Sequence, residues 1–339
     1  MPKLALGQRL FGLSLKLMPP THKLPPNVVR KLFHWTDKLS GLPRIPVHKV
    51  KELKIPMSTN AKGVLQKTDD KKSETISARL YLSERLSESS EDVLPTIVFF
   101  HSGGCVIGSV ETHDGFCRHL ANYARANVVS VDYRLAPEYK FPVSICDAID
   151  AWNWVVKNGD RLGLNTQKIG VAGDSAGGYL SLLLNLKSLQ QNLPVQVTRT
   201  PDFQALMFPM LDLQAGRPSY DEFTSGLLLT KDMMLYFRDH YLNSEEEKHL
   251  ELASPILHDG LSECPPTYLL TVEFDPLRDE GLEMADKLKQ AGLNLEHQHL
   301  NDCMHSFFSL TKVSKTAKDK TLTTIEQIGG FVNSIVGSA

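Results

Sequence analysis

Gly173-Asp174-Ser175-Ala176-Gly177 sets a serine between two glycines, after the apolar run Lys168–Ala172 and before a helical pattern. On a tight strand-to-helix turn the serine hydroxyl is exposed, and the crowded backbone excludes side chains two positions before and two after. Gly173 and Gly177 meet that need. Such a serine suits attack on an acyl carbonyl. The attack puts negative charge on the carbonyl oxygen only along the reaction path, so preset N–H donors stabilise it. Ala176 N–H, at the head of the helix, supplies one. After the apolar run Thr96–Phe100, His101-Ser102-Gly103-Gly104 offers two more, at Gly103 and Gly104. His101 reads as a loop-orienting histidine rather than a catalytic one.

A serine hydroxyl is a weak nucleophile until a base takes its proton, and the base needs an acid to fix its tautomer. Where the serine ends a strand of a parallel sheet, the acid and then the histidine follow later in the chain, again at strand ends. Four acids compete for the first place: Glu273, Asp275, Asp279 and Glu280. Asp275 stands where the strand Tyr268–Val272 has given out and Pro276 begins a turn. Asp279 and Glu280 fall in the first turns of the next helix, where negative charge is favourable in any case, with Arg278 as a salt-bridge partner. Of twelve histidines, His305 alone follows the last predicted strand in a short loop, and it is the candidate base. Asp174 reads as a structural hydrogen-bonder. His297 and His299 could share a strand face, but no third ligand is evident, so a metal site is set aside. Cys105 has no such turn around it and reads as structural rather than as a thiol nucleophile.

The elements that must position these residues begin at about residue 76, where β-rich runs alternate with helical patterns: an α/β chain with a mostly parallel sheet covered by helices. The predicted strands are Ile76–Leu82, Thr96–Phe100, Val128–Tyr133, Lys168–Ala172, Gln204–Met207, Tyr268–Val272 and Leu295–Leu300. The predicted helices are His113–Ala124, Ser144–Val156, Ala176–Leu189, Leu277–Ala291 and Thr321–Val336. Two segments break the alternation. Residues 1–50 carry helical patterns and prolines but no strand. Leu211–Ala253 intervenes between two strands, with Leu227–Tyr241 looking helical and Thr230 placed as its N-cap. Both are read as a cap, 1–50 as its N-terminal part and about 211–253 as an insertion, on a catalytic domain spanning 51–339. Met233, Phe237 and Tyr241 share one helix face, which either lines a pocket or packs as an ordinary core face. Ser83–Asp92 reads as an exposed loop.

Composition narrows the partners. With 42% hydrophobic residues and a formal charge of -2, the 339-residue chain can build a large core and has no basic excess to draw nucleic acid. Five scattered cysteines form neither a disulfide framework nor a metal spacing, which points to a reducing, cytoplasmic setting. Arg9 and Lys16 cut the N-terminal apolar run too short for a signal peptide, and no stretch approaches the roughly 20 apolar residues of a membrane-spanning helix. Leu6, Leu10, Leu13 and Leu17 recur at helical spacing. They predict an amphipathic helix over residues 4–18 that touches either a membrane surface or the protein's own body, and the body is the favoured reading.

Taken together, these motifs resemble the hormone-sensitive-lipase-like family of α/β-hydrolases, which includes bacterial esterases and arylacetamide deacetylases. The resemblance runs from about residue 76 to 310. It rests on Tyr133-Arg134-Leu135-Ala136-Pro137-Glu138 with Phe141-Pro142, on Gly173 to Gly178, Ser254-Pro255 and Pro265-Pro266, on Asp275 to Gly281, and on His305-Ser306-Phe307. It departs at Ser102 and Ser306, where the family often has glycine. It implies an eight-stranded, mostly parallel sheet with a helical cap. It further implies hydrolysis of short- to medium-chain esters by Ser175, Asp275 and His305 without metal or organic cofactor, and it leaves a homodimer open. Deacetylation or amide hydrolysis could use the same residues. A non-catalytic receptor is disfavoured because all three residues remain.

Overall fold

Short runs that are buried at every position, such as Thr96–Phe100, must be covered on both faces, and the sheet they build is buried between two layers of helix. The structure is a computed structural model and describes residues 2–16, 20–58, 75–84 and 94–337. Its strands are β1 (Lys49–Pro56), β2 (Thr75–Leu82), β3 (Thr96–Phe100), β4 (Asn127–Asp132), β5 (Ile169–Asp174), β6 (Gln204–Met207), β7 (Thr267–Phe274) and β8 (Leu295–Met304). They form one sheet in the order β1-β2-β4-β3-β5-β6-β7-β8. β2 pairs antiparallel with β1 and with β4, and from β4 to β8 every pairing is parallel. The helices are α1 (Leu6–Leu15), α2 (Pro26–Ser40), α3 (Asp114–Tyr123), α4 (Val143–Asn158), α5 (Ala176–Leu183), α6 (Pro218–Glu222), α7 (Lys231–Tyr241), α8 (Arg278–Gln290) and α9 (Lys315–Val336). One side of the core gathers Trp152, Tyr179 and Leu206; the other gathers Phe99, Phe116, Phe203 and Phe331.

All seven predicted strands are present, and the structure corrects four other expectations. β1 begins inside the segment expected to lack strands. Its charges, Lys49, Lys51, Glu52 and Lys54, hide its pairing with β2 but suit a sheet edge, where they discourage pairing with another chain. α5 stops at Leu183, not Leu189, because Asn185 diverts the ladder: its N–H bonds to Leu182 O and its side chain takes Ser181 O and Gln204. The helical pattern read from Leu227 does not extend ahead of Lys231, where α7 starts with Thr230 as the N-cap expected of it, its hydroxyl accepting from Met233 N–H. α1 packs on the body through Gln8 and Gly12, while Leu6, Leu10 and Leu13 face away from it. Leu17, and all of Ser83–Asp92 beyond its first two residues, lie outside the described residues.

The segment 211–253 is clamped at its base. Ser254 Oγ accepts from Leu213 N–H and donates to Lys248 O, and Ile256 N–H bonds to Leu211 O. Glu280, expected only to favour the start of α8, is fully buried. One carboxyl oxygen accepts from Leu211 N–H (2.6 Å) and Asp212 N–H (3.1 Å), and the other from Tyr220 O–H (3.0 Å). Glu280→Ala strands those donors without solvent. It is expected to cost about 3–5 kcal/mol in urea unfolding, whereas Glu280→Gln, which keeps an acceptor oxygen, stays within about 1 kcal/mol of the parent.

Candidate active site

Parallel strands deliver their following loops to one end of the sheet, and all the predicted site residues follow strand ends there. Ser175 comes directly after β5, Asp275 after β7, His305 after β8, and His101 to Gly104 after β3. β6 lies between β5 and β7 and ties the parts together. Met207 O accepts from Ser175 N–H, and the Phe208 ring packs against the His305 imidazole with centroids 4.7 Å apart.

Ser175 adopts φ 54° and ψ −115° as it passes from β5 into α5, a conformation that side-chain-bearing residues rarely take. The turn is held by close backbone approach. A Cβ on Gly177 would lie 1.9 Å from Phe100 O, and one on Gly173 would lie 2.3 Å from the Gly177 backbone. His305 and Asp275 are both buried, and Nδ1–H donates to Asp275 Oδ2 at 2.7 Å. The second carboxylate oxygen, Oδ1, accepts from Leu277 N–H at 2.8 Å, which fixes the plane of the group. The other three acids are engaged elsewhere: Glu273 with Arg278 and His299, Asp279 with Ser219 N–H and Arg278, and Glu280 with the insertion. Among the described residues no hydrogen bond joins Ser175 to His305, a contact that often tightens only when substrate binds.

In the glycine loop, Gly103 (φ 119°) and Gly104 (φ 59°) take left-handed conformations, so both positions favour glycine. Ser102 does not, which is why serine fits there without strain; its hydroxyl meets His113 Nε2 at 3.1 Å. The backbone N–H groups of Gly103, Gly104 and Ala176 have no acceptor among the described residues. His101 is buried and stacks on Tyr133. Its Nδ1–H donates to Ser102 O, and burial, reinforced by nearby His113, lowers its pKa to about 3, so it stays neutral. Cys105 is equally unsuited to nucleophilic chemistry, because burial pushes its thiol up to about 12. Ser306 takes the left-handed conformation directly after His305 (φ 56°), a backbone state that favours glycine. His297 and His299 both meet Thr271 Oγ1 at 2.9 Å.

Sequence reasoning missed a group that braces this site. Arg30 on α2 donates to Val106 O and Ala136 O, each at 2.8 Å, and to the Glu138 carboxylate, tying the N-terminal segment to the glycine loop. Phe237 on α7 lies so close that a Cβ on Gly104 would meet its Cγ at 2.3 Å. The two extra segments also touch each other, through Thr21 with Met233 and Leu24 O with Tyr236 O–H. On the same helix face, Tyr241 is ordinary core, packed on Phe141 and Tyr179.

Asp174 is buried beside His113, 3.4 Å from Nε2. Burial opposes charge on both, but their mutual attraction outweighs it, lowering the pKa of Asp174 and raising that of His113. Asp37, Thr112, His113, Asp174 and Ser306 help line a narrow cavity of about 20 Å³. Burial pushes the Asp37 carboxyl from its ordinary 3.8 to about 6, against the pull of His113, Lys312, His34 and Arg44. The folded protein thus holds this proton more tightly than the unfolded chain does. The associated stability is full below about pH 4 and is lost as pH rises through 6. Asp37→Asn is expected to flatten that decline, making the variant about 2 kcal/mol more stable relative to the parent at pH 7 than at pH 4, as read by urea unfolding at the two pH values.

Comparison with known proteins identifies relatives of the whole chain. Residues 97–309, more than half of the chain, match the profile of the alpha/beta hydrolase fold. An ethyl acetate hydrolase from Pseudomonas putida is 33% identical over 233 residues, covering 68% of this chain and 72% of that protein. Esterase LipI from Mycobacterium tuberculosis is 33% identical over 287 residues, 84% of each. The crystallised esterase of Pyrobaculum calidifontis superposes with a TM-score of 0.81 at 32% identity, covering 99% of both chains. An ester hydrolase from the metagenome of Lake Arreo, solved with a bipyridine phosphonate derivative, gives a TM-score of 0.84 at 29% identity, covering 98% of this chain and 99% of that one. The strand order, the residues at the strand ends and these likenesses all lead to one placement: the chain belongs to the hormone-sensitive-lipase-like family of α/β-hydrolases.

Proposed function

We propose that this protein, a carboxylic ester hydrolase, cleaves short- to medium-chain esters through an acyl-enzyme on Ser175. The observation that carries the reading is the strained Ser175 at the same end of the sheet as a buried His305 whose Nδ1 is held by Asp275. In the first step His305 Nε2 takes the Ser175 proton as Oγ adds to the ester carbonyl. The N–H groups of Gly103, Gly104 and Ala176 hold the resulting oxyanion. His305 then gives that proton to the departing alcohol oxygen, leaving an acyl-serine. Water, deprotonated by the same imidazole, adds to the acyl carbon; the acyl–Oγ bond then breaks, His305 returns the proton to Ser175 Oγ, and the acid leaves. Asp275 keeps the Nδ1–H tautomer throughout. The N-terminal segment and the 211–253 insertion act as a cap, with Phe237 bounding the acyl site beside Gly104.

The test is hydrolysis of p-nitrophenyl esters of graded chain length by the purified protein and by Ser175→Ala. Activity that peaks at short or medium chains and disappears in the variant supports the proposal. A folded parent that cleaves none of the series overturns it.

A further inference from the structure

Helix α1 is amphipathic in the wrong sense for a helix that only packs on its own protein. At 100° per residue, the buried Gln8 and Gly12 sit opposite Leu6, Leu10 and Leu13, which are 63%, 56% and 52% exposed. The packed face is fixed by specific contacts rather than by apolar area. Met304 N–H donates to Gln8 Oε1, and a Cβ on Gly12 would lie 2.1 Å from Gly226 O. The helix therefore cannot roll to bury its leucines without breaking these contacts.

The exposure continues on α2, where Val28, Trp35 and Leu39 are exposed, with Lys31 and Lys38 among them. The turn before α9 joins the two helices. Gly7 packs against Val313 O, Lys312 N–H bonds to Ser40 O, and Lys312 Nζ bonds to Lys38 O; Val313 itself is exposed. Of the ten large hydrophobic side chains that stand exposed among the described residues, six lie within the first 39, so the exposure is concentrated rather than scattered.

Charge on this face has one sign. No Asp or Glu occurs before Asp37, and among the described residues Lys3, Arg9, Lys16, Lys31 and Lys38 have no carboxylate partner. A second copy docking through the same face would bring like charges together. A bilayer carrying anionic lipid meets both halves of the pattern: leucines and a tryptophan enter the interface while the basic side chains meet the head groups. We infer that the protein docks peripherally on anionic membrane surfaces through the outward face of α1 and the adjoining end of α2. No helix among the described residues is long and apolar enough to cross a membrane, so the contact is interfacial.

The experiment is sedimentation of the full chain with phosphatidylcholine vesicles, with and without about 30 mol% phosphatidylglycerol. Two variants are compared: Leu6→Gln/Leu10→Gln/Leu13→Gln, and Lys31→Glu/Lys38→Glu. Unfolding temperature checks the fold without reference to ester cleavage. The expected result is binding to anionic vesicles that weakens at about 0.5 M salt and falls at least about tenfold in either variant. Parent protein that stays in the supernatant, or variants that bind as the parent does, overturns the inference. So does a parent dimer in light scattering that the triple leucine variant converts to monomer, which would give the face to a second copy.

Discussion

Ser175→Ala is expected to lower kcat/KM for a p-nitrophenyl ester by about 10⁴- to 10⁶-fold while leaving unfolding by urea within about 0.5 kcal/mol of the parent. The hydroxyl is the proposed nucleophile, and its Oγ makes no hydrogen bond among the described residues, so its removal costs chemistry and little else. Backbone strain separates this position from an ordinary serine. At φ 54° and ψ −115° any side chain is disfavoured, and alanine inherits the penalty. Ser175→Gly removes it and is expected to be equally inactive yet about 1 kcal/mol more stable. Retention of more than about 1% of activity in Ser175→Ala would move the nucleophile elsewhere.

The second large effect falls on Asp275. In Asp275→Asn the amide oxygen takes over the bond from Leu277 N–H, which turns the NH₂ group toward His305 Nδ1. That nitrogen must then accept, and the imidazole carries its proton on Nε2, where it points at the serine and cannot remove a proton from it. A fall in kcat of about 10³- to 10⁴-fold with little change in KM is expected, and the switched tautomer should be visible in the ¹⁵N shifts of His305. An unchanged kcat would show that another group orients the base.

The placement of Ser175, Asp275 and His305 at strand ends was legible because local sequence marks each of those strands clearly. The serine also carries two glycines whose absence of side chain the turn demands. Other features depend on partners far away in the chain. Glu280 looks like any acid in the first turn of a helix, and only the return of Leu211 and Asp212 to its side shows that it anchors the insertion. Arg30 shows no signal at all, since its acceptors come some 76 and 106 residues later. β1 was hidden by its charges, and α5 was read too long because Asn185 ends it through a side-chain bond to the next strand. The orientation of α1 was misread for a physical reason: periodicity locates an apolar face but does not say whether protein covers it, and here two hydrogen-bonding or backbone contacts decide.

Order of synthesis makes the N-terminal segment unusual. Gln8 leaves the ribosome 294 residues before Asp302 and 296 before Met304, its partners, whereas the acceptors of Arg30 are made soon after β3 and β4. Helix α1 must therefore wait, undocked, while the sheet grows from β1 to β8, and its attachment comes late in assembly. Arg30 can dock earlier, since Val106 and Ala136 precede Ser175 in the chain, so the glycine loop can be braced before the serine turn opposite it is even made.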